Sequence, residues 1–318
     1  MNKEKKLINL IAKIMPWSDA QLNKLFESDS EILKFGQRNI LFTIDEFSKE
    51  DMLREHDPYI LGWNLAVGGI SDILASGGRP LFYAHSFVIN RNWTEDYIKE
   101  FCSGVADVLK ESDTFFIGGD LGQADDWSYT IACIGEIIDK PILRTSAKND
   151  NLIYLSGEIG AGNLEALLKL QADKKVKNRF YLRIKESALL SKFATSCIDT
   201  SDGVFNALET LAEMSNLGYE VTNLPYLKTD LIAKIPEILL FLGECGEYEL
   251  LFTIKKEDEL KFLREAKRQN LYFYKIGQMS SKEKKNLKNI DLSKINIRAR
   301  DFADVKDYLK ELQQCIKF

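Results

Sequence analysis

Four aspartates of this chain share one kind of sequence surrounding, with small residues beside them and an apolar run next to them. They are Asp45 in FTIDEF, Asp72 in GGISDILASGG, Asp120 in IGGDLG and Asp202 in CIDTSDGVF, where Asp199 is close by. Burying such carboxylates together without cations is unfavourable, because each loses its hydration and repels the others. A hard divalent cation removes this penalty, and protein-bound Mg²⁺ commonly shares its carboxylate ligands with substrate phosphates. The pattern predicts a magnesium site that binds a phosphorylated ligand.

The residues next to two of these aspartates fit the same prediction. Gly118 and Gly119 precede Asp120, and glycine lets a backbone amide approach a phosphate oxygen. Ser201 is a candidate cap for a helix that starts after Gly203. The sequence contains neither a Walker A motif nor a GxGxxG fingerprint. A phosphate site here would therefore be built on carboxylates and metal.

Each aspartate also has a purely structural interpretation. A Gly-Gly-Asp sequence is usually a turn, and Asp202 with Gly203 could form a hairpin turn. Asp72 could cap a helix, and Asp45 could simply end a strand. Taken one at a time, these interpretations are the better ones. Taken together, they leave the repeated pattern unexplained.

The hydrophobic spacing predicts strands and helices in both halves of the chain, as in a mixed α/β (α+β) protein of two domains. Residues 39–44 and 114–118 are predicted strands, with Asp45 and Asp120 following them, and residues 61–78 and 205–217 are predicted helices. Gly218 is the expected C′ residue of the second helix. Polar, turn-rich sequence near residues 140–151 predicts a boundary between domains 1–139 and 140–318.

The composition excludes several classes of protein. The 318 residues carry 43 basic and 48 acidic side chains, for a formal charge of −5, so we expect no nucleic-acid partner. The five cysteines form no CxxC pair and there are only two histidines, His56 and His85, which argues against a disulfide framework or a histidine-rich metal centre. No apolar run is long enough to cross a membrane, and we expect a cytoplasmic protein without a membrane partner.

The ordered motifs resemble a known superfamily. GISDILASGGRP, IGGD, LRTSAK, CIDTSDGV and EYELLF occur in the order found in aminoimidazole ribonucleotide (AIR) synthetase, the hydrogenase maturation dehydratase, selenophosphate synthetase and thiamine-monophosphate kinase. The resemblance is greatest to thiamine-monophosphate kinase and covers roughly residues 26 to 255. Asp29, in ESDSEIL, is the counterpart of the GDD pair that this family carries near its N-terminus.

The resemblance implies an AIR-synthase-like fold, in which an N-terminal α/β domain forms a barrel-like homodimer interface and ATP binds in a cleft beside a C-terminal α/β domain. It implies ATP and Mg²⁺ as cofactors, and a transfer of the ATP γ-phosphoryl group to thiamine monophosphate or a related phosphorylated acceptor in thiamine biosynthesis. The implied metal ligands are Asp29, Asp45, Asp72, Asp120 and Asp202. The implied nucleotide-site residues are Gly118, Gly119, Asp120, Arg144, Lys148 and Ser201, with Asp120 and Asp202 as the candidate catalytic residues.

Two other functions stay open from the sequence. One is an ATP-dependent cyclo-ligase of the AIR synthetase type, because ISDILASGGRPLFY is close to the pattern of that branch. The other is a non-catalytic dimer that keeps the scaffold and binds nucleotide, since fold does not fix function. Arg144 and Lys148 could also be ordinary solvated surface cations. The products separate the two enzymes: a diphosphate ester for the kinase, and a closed ring with free phosphate for the cyclo-ligase.

Overall fold

The structure is a computed structural model, and it describes residues 3–48, 57–170, 178–230, 236–288, 290–295, 297–302 and 304–316. The helices are α1 (Lys3–Ile14), α2 (Pro58–Ala75), α3 (Glu95–Glu111), α4 (Ala161–Leu170), α5 (Ile184–Phe193), α6 (Val204–Met214), α7 (Glu237–Leu242), α8 (Glu259–Arg268) and α9 (Val305–Ile316). The strands are β1 (Glu31–Phe35), β2 (Arg38–Ser48), β3 (Gly78–Asn90), β4 (Phe115–Ala124), β5 (Ser128–Ile137), β6 (Leu152–Leu155), β7 (Ala194–Asp199), β8 (Gly218–Val221), β9 (Leu250–Ile254), β10 (Tyr274–Ser280), β11 (Lys285–Leu287) and β12 (Ile290–Asp291).

The first half of the chain builds an open sheet of five strands in the order β1-β2-β5-β3-β4. In the central strand β5, side chains alternate between buried and half-buried positions, and Tyr129, Ile131 and Cys133 are all buried. This period of two is the mark of a sheet with one face against a core. That core is made with α2 and α3, and it includes Ile70, Phe101 and their neighbours. The opposite face is open, as exposed Ile44 and Phe82 show.

The second half builds a sheet of seven strands in the order β12-β11-β8-β10-β6-β9-β7. Strands β6 and β9 are buried along their whole length, which is the pattern of strands covered on both faces. One apolar cluster around α4, α6 and α7 packs on one face, and a second around α5 and α8 packs on the other. This sheet brings the end of β7 toward the first half of the chain.

Helix α2 connects the two sheets. Its N-cap is Asp57, whose side chain accepts hydrogen bonds from the backbone amides of Tyr59 (3.0 Å) and Ile60 (3.2 Å). The helix is buried along nearly all its length. Trp63 Nε1 donates to the carbonyl of Phe180 at 2.8 Å, and Ser71, in the last two turns, donates to Asp199. The helix is therefore fixed to both halves of the molecule.

Four sequence expectations about local structure need correction. Strand β2 runs on to Ser48, so Asp45 lies inside it and does not follow it. Strand β4 runs on to Ala124 and is an exposed edge strand, so Asp120 lies inside it and does not follow it. Gly218 begins β8, and Asn216 takes the left-handed conformation after α6 (φ 53°). Ser201 does not cap α6, whose N-cap is Gly203 with no side-chain cap. None of the described helices is long and apolar enough to cross a membrane.

Candidate active site

Three carboxylates converge where α2 meets the end of β7. Asp29 precedes β1, Asp72 lies in the last turn of α2 and Asp199 ends β7. One carboxylate oxygen from each can be chosen so that all three lie within 4.8 Å of one another. These residues come from three distant parts of the sequence, and only the folded chain brings them together.

Asp45, in β2, is the fourth carboxylate of this cluster. Burial, followed by the charge of Asp199, raises the pKa of Asp45 to about 7. The pKa of Asp72 is raised well above its ordinary value by burial and then by Asp45 and Asp199. Burial also raises the pKa of Asp199. Without a cation these carboxylates resist ionisation together, as expected for groups that share a desolvated site.

Hydroxyl groups hold the carboxylates in place. Thr43 Oγ1 donates to Asp72 Oδ2 at 2.5 Å, and Ser71 Oγ donates to Asp199 Oδ2. Ser201 Oγ donates to Asp199 Oδ1 at 2.8 Å, and the Ser201 amide does so at 3.3 Å. Ser201 thus orients Asp199, and its predicted role in the nucleotide site stays a prediction.

Arg144 supplies a positive charge next to the cluster. It forms an ion pair with Asp29, whose side chain is only 1% exposed. Burial lowers the pKa of Arg144 to about 10, while the charge of Asp199 opposes this shift. Asp29 Oδ2 and Arg144 Nε are buried and make no hydrogen bond within the described residues. An unused buried carboxylate oxygen fits a metal ligand, and an unused buried guanidinium donor fits an anion such as phosphate.

A cavity of about 240 Å³ opens beside these groups. Arg144, Asp199, Ser201 and Asp202 line one part of it, and α1 and Arg298 line another. Asp202 is held by the turn before α6, where Gly203 has φ 82° and a Cβ would lie 2.2 Å from the carbonyl oxygen of Gly243. Only glycine fits that approach. The SDGV turn therefore places Asp202 at the mouth of the carboxylate site.

Four residues predicted for this site lie elsewhere within the chain. Asp120, Gly118 and Gly119 are in β4, where Asp120 pairs with Ser86 on the open face of the sheet. Asp45, by contrast, pairs with Ile131 on the buried face. Strands β2 and β4 are three strand spacings apart, roughly 14 Å, so Asp120 lies far from Asp45 within one chain. Gly119 is explained by strand pairing, since a Cβ there would lie 2.0 Å from the carbonyl oxygen of His85.

Lys148 is the fourth residue outside the cluster. Lys148 is exposed to solvent, and its backbone amide donates to Asn151 Oδ1 at 3.1 Å. His56 and the whole of segment 49–56, which follows β2, lie outside the described residues. The roles proposed from sequence for Asp120, Gly118, Gly119 and Lys148 stay predictions.

Asp199 is the site residue that the sequence prediction left out of the metal ligands. Asp202, in the more familiar Asp-Gly turn, was chosen instead. The available signal was the position of Asp199 directly after the apolar residues of β7, because the last residue of a buried strand is fixed more firmly than the turn that follows. Asp199 is 4% exposed.

The EYELLF motif has a structural role. Glu247 Oε1 accepts from the amides of Gly160 (2.9 Å) and Gly162 (2.8 Å), at the start of α4. Glu249 is buried, and Arg183 donates to it through Nε at 2.7 Å and Nη2 at 2.5 Å. Burial raises the pKa of Glu249, and Arg183 opposes the shift. Ser156, which follows β6, also donates to Glu249 Oε2, so both glutamates hold the turn between β6 and α4.

Comparisons with known proteins show the family of this chain. The family model of the AIR synthase related protein, N-terminal domain, matches residues 27–137, and that of the C-terminal domain matches residues 148–288. The thiamine-monophosphate kinase of Bacillus subtilis (strain 168) is 31% identical over 252 residues, covering 73% of this chain and 77% of that protein. That of Buchnera aphidicola subsp. Schizaphis graminum is 30% identical over 275 residues, covering 80% and 84%.

A solved structure shows the same fold. AaThiL complexed with AMPPCP and TMP has a TM-score of 0.75 to this chain at 23% identity, with 92% of this chain and 97% of that one covered. These matches confirm the predicted superfamily, its kinase branch and the two-part α/β fold. The boundary at residue 139 stays a prediction, since the two family models leave residues 138–147 between them. The chain belongs to the thiamine-monophosphate kinase family of the AIR synthase-related proteins.

Proposed function

We propose that the chain is an ATP- and Mg²⁺-dependent phosphotransferase that converts thiamine monophosphate and ATP into thiamine diphosphate and ADP. The observation that carries the proposal is the buried group of Asp29, Asp45, Asp72 and Asp199 beside Arg144. The names of the relatives support the choice of acceptor. Phosphoryl transfer asks a protein mainly for alignment and for neutralisation of charge, which this group of residues is suited to give.

Each residue of the site has a definite task in this proposal. Asp29, Asp45, Asp72, Asp199 and Asp202 would hold Mg²⁺, which when bound neutralises charge on the phosphate oxygens. Arg144 donates hydrogen bonds to a phosphate oxygen, because its Nε is buried and unused. Thr43, Ser71 and Ser201 fix the orientation of Asp72 and Asp199. The chain needs no nucleophile of its own, since the acceptor phosphate attacks directly.

The proposal includes a homodimer formed through the open face and free edge of the N-terminal sheet. Phe115, Ile117 and Leu121 of the edge strand β4 are 63%, 59% and 68% exposed. An exposed strand edge with large apolar side chains is a surface that pairs with another chain. In the proposed dimer, Asp120 and the glycines before it belong to the active site of the other chain. Their predicted role is then compatible with their distance from the carboxylate cluster of their own chain.

The test is ADP release with Mg²⁺, ATP and thiamine monophosphate, comparing wild type with Asp72→Asn. We expect release that depends on the acceptor in wild type, and a loss on the order of a hundredfold or more in the variant, because a metal ligand is removed. Asp113→Asn is the matched control, since Asp113 is an exposed residue with φ 53° that asparagine tolerates. Acceptor-independent release, or equal rates in wild type and Asp72→Asn, would refute the proposal.

A further inference from the structure

Helix α1 forms one wall of the cavity beside the carboxylates. Lys5 and Ile8 of this helix line the same cavity as Asp199, Ser201 and Asp202. Lys5 also lines a neighbouring cavity of about 270 Å³, together with Glu209, Glu213 and Lys285. Lys5 therefore stands at the border between the candidate active site and the surface of α6.

Basic side chains from three separate segments meet at this cavity. Lys5 comes from α1, Arg144 from the segment between β5 and β6, and Arg298 from the segment before α9. Arg144 is paired with Asp29 and Arg298 lies 3.8 Å from Glu244. Three cations beside carboxylates suited to a metal form a mixed-charge site, of the kind that binds metal and phosphate together.

The ion pair between Lys5 and Glu213 is exposed on the Glu213 side. Lys5 Nζ lies 2.5 Å from Glu213 Oε2, and the Glu213 side chain is 61% exposed. Ion pairs with so exposed a partner contribute little to stability. A lysine ammonium on its flexible stem can turn from such a partner to a phosphate oxygen, which carries more charge.

We propose that Lys5 binds a phosphate oxygen of the bound substrate, so that α1 closes the phosphate end of the site when Lys5 leaves Glu213. The inference rests on the proposed function for the presence of a phosphate there. The phosphate belongs either to ATP or to the acceptor, and both offer the same chemistry to Lys5. Ile8, on the same helix, lines the cavity in either case.

The experiment measures binding in the full chain with Mg²⁺ present and without phosphoryl transfer. Isothermal titration calorimetry with inorganic tripolyphosphate represents ATP, and titration with thiamine monophosphate represents the acceptor. The variants are Lys5→Ala, Lys5→Arg, Glu213→Gln and, as matched control, Lys6→Ala, because Lys6 is an exposed residue of the same helix. Circular dichroism checks that each variant is folded.

We expect Lys5→Ala to raise the Kd of one of the two probes by about tenfold, the effect of losing one charge-assisted hydrogen bond. The probe that responds identifies the source of the phosphate. Lys5→Arg should retain part of the affinity, Lys6→Ala should bind as wild type, and Glu213→Gln should bind as tightly as wild type or more tightly, because the competing carboxylate is gone.

Three outcomes would overturn the inference. The first is Lys5→Ala binding both probes as wild type does. The second is an equal loss in Glu213→Gln, which would mean that the ion pair merely anchors α1. The third is wild type binding neither phosphate. Wild type that binds phosphate with the expected variant pattern but releases no ADP would leave this inference standing and refute the proposed function.

Discussion

Asp45, Asp72 and Asp199 are buried close to one another, and each has a raised pKa. For Asp45 the ordinary value is 3.8 and the value in the fold is about 7. The folded chain therefore keeps a proton on Asp45 at pH values where the unfolded chain has lost it. By linkage, the free energy of unfolding falls as the pH rises from 3.8 to about 7.

Magnesium should reverse this destabilisation. Protons compete with Mg²⁺ for the same oxygens, so saturating Mg²⁺ should raise the Tm more at a pH of about 8 than at about 5.5. Differential scanning fluorimetry of wild type and Asp45→Asn, each with and without Mg²⁺, measures this. We expect the pH dependence to shrink in Asp45→Asn and to stay unchanged in Asp113→Asn. An equal Mg²⁺ effect at both pH values in wild type would contradict a metal role for the cluster.

The sequence was a good guide to some of these residues and a poor one to others. Asp72 lies in the predicted helix and Asp45 next to the predicted strand 39–44, although β2 runs on past Asp45 to Ser48. Asp199 was passed over because two carboxylates three residues apart cannot be ranked without knowing where β7 ends. The position of Asp120 depends on strand order, and pairing between distant strands leaves little trace in a local sequence pattern.

At the scale of elements, α2 carries Asp72 and so positions part of the site. One glycine in α2 and one in α3 let these two helices pack closely together. A Cβ on Gly62 would lie 2.0 Å from the carbonyl oxygen of Phe101, and a Cβ on Gly104 would lie 2.1 Å from that of Tyr59. The sequence predicted a helix over residues 61–78, close to the observed Pro58–Ala75. It could not identify the partner, because α3 shows an amphipathic pattern compatible with many surfaces.

Gly62→Ala and Gly104→Ala should each destabilise the protein by about 1–3 kcal/mol, because an added methyl group meets backbone and forces the helices apart. This is the opposite of the gain that helix propensity alone would give. Urea unfolding followed by circular dichroism measures the change. Gly122→Ala is the matched control, since the nearest atom to its Cβ is a Val88 methyl at 3.6 Å. A stabilised Gly62→Ala would show that the helices do not approach so closely.

The described elements also show where prediction reached its limit. Strand β2 and helices α2 and α6 lie close to where hydrophobic spacing predicted them. Strand β4 was predicted only over residues 114–118, yet it runs on to Ala124 and lies at the exposed edge of the sheet. The sequence of an apolar strand has the same hydrophobic pattern whether the strand is covered by its own chain or by another chain. The sequence pattern predicts that the strand is covered, but it does not predict which chain covers it.

At the scale of the whole molecule, the proposed dimer makes Asp72 and Asp120 of one site belong to different chains. Mixing Asp72→Asn with Asp120→Asn should then restore activity, although each variant alone is inactive. In a statistical mixture half the dimers are mixed, and one of the two sites in each is intact, so about one quarter of wild-type activity is expected. ADP release after co-refolding or co-expression of the two variants measures this.

The control for complementation is Asp45→Asn mixed with Asp72→Asn. Both residues lie in the same cluster of one chain, so in a mixed dimer one chain's cluster always lacks Asp45 and the other's lacks Asp72, and no activity should return. Recovery of activity in this mixture would indicate genetic exchange between the two variants or reversion of a substitution. No recovery in the Asp72→Asn and Asp120→Asn mixture, with dimers shown by light scattering, would remove Asp120 from the partner's site.

The strand order β1-β2-β5-β3-β4 has a consequence for synthesis on the ribosome. The central strand β5 joins β2 to β3 and ends at Ile137, so it is the last of the five strands to be made. Until it emerges, β2 has no partner on that side and the pair β3 and β4 is separate from it. The nascent chain thus carries exposed apolar strands through most of its first half, and the sheet forms in one late step that depends on contacts distant in sequence.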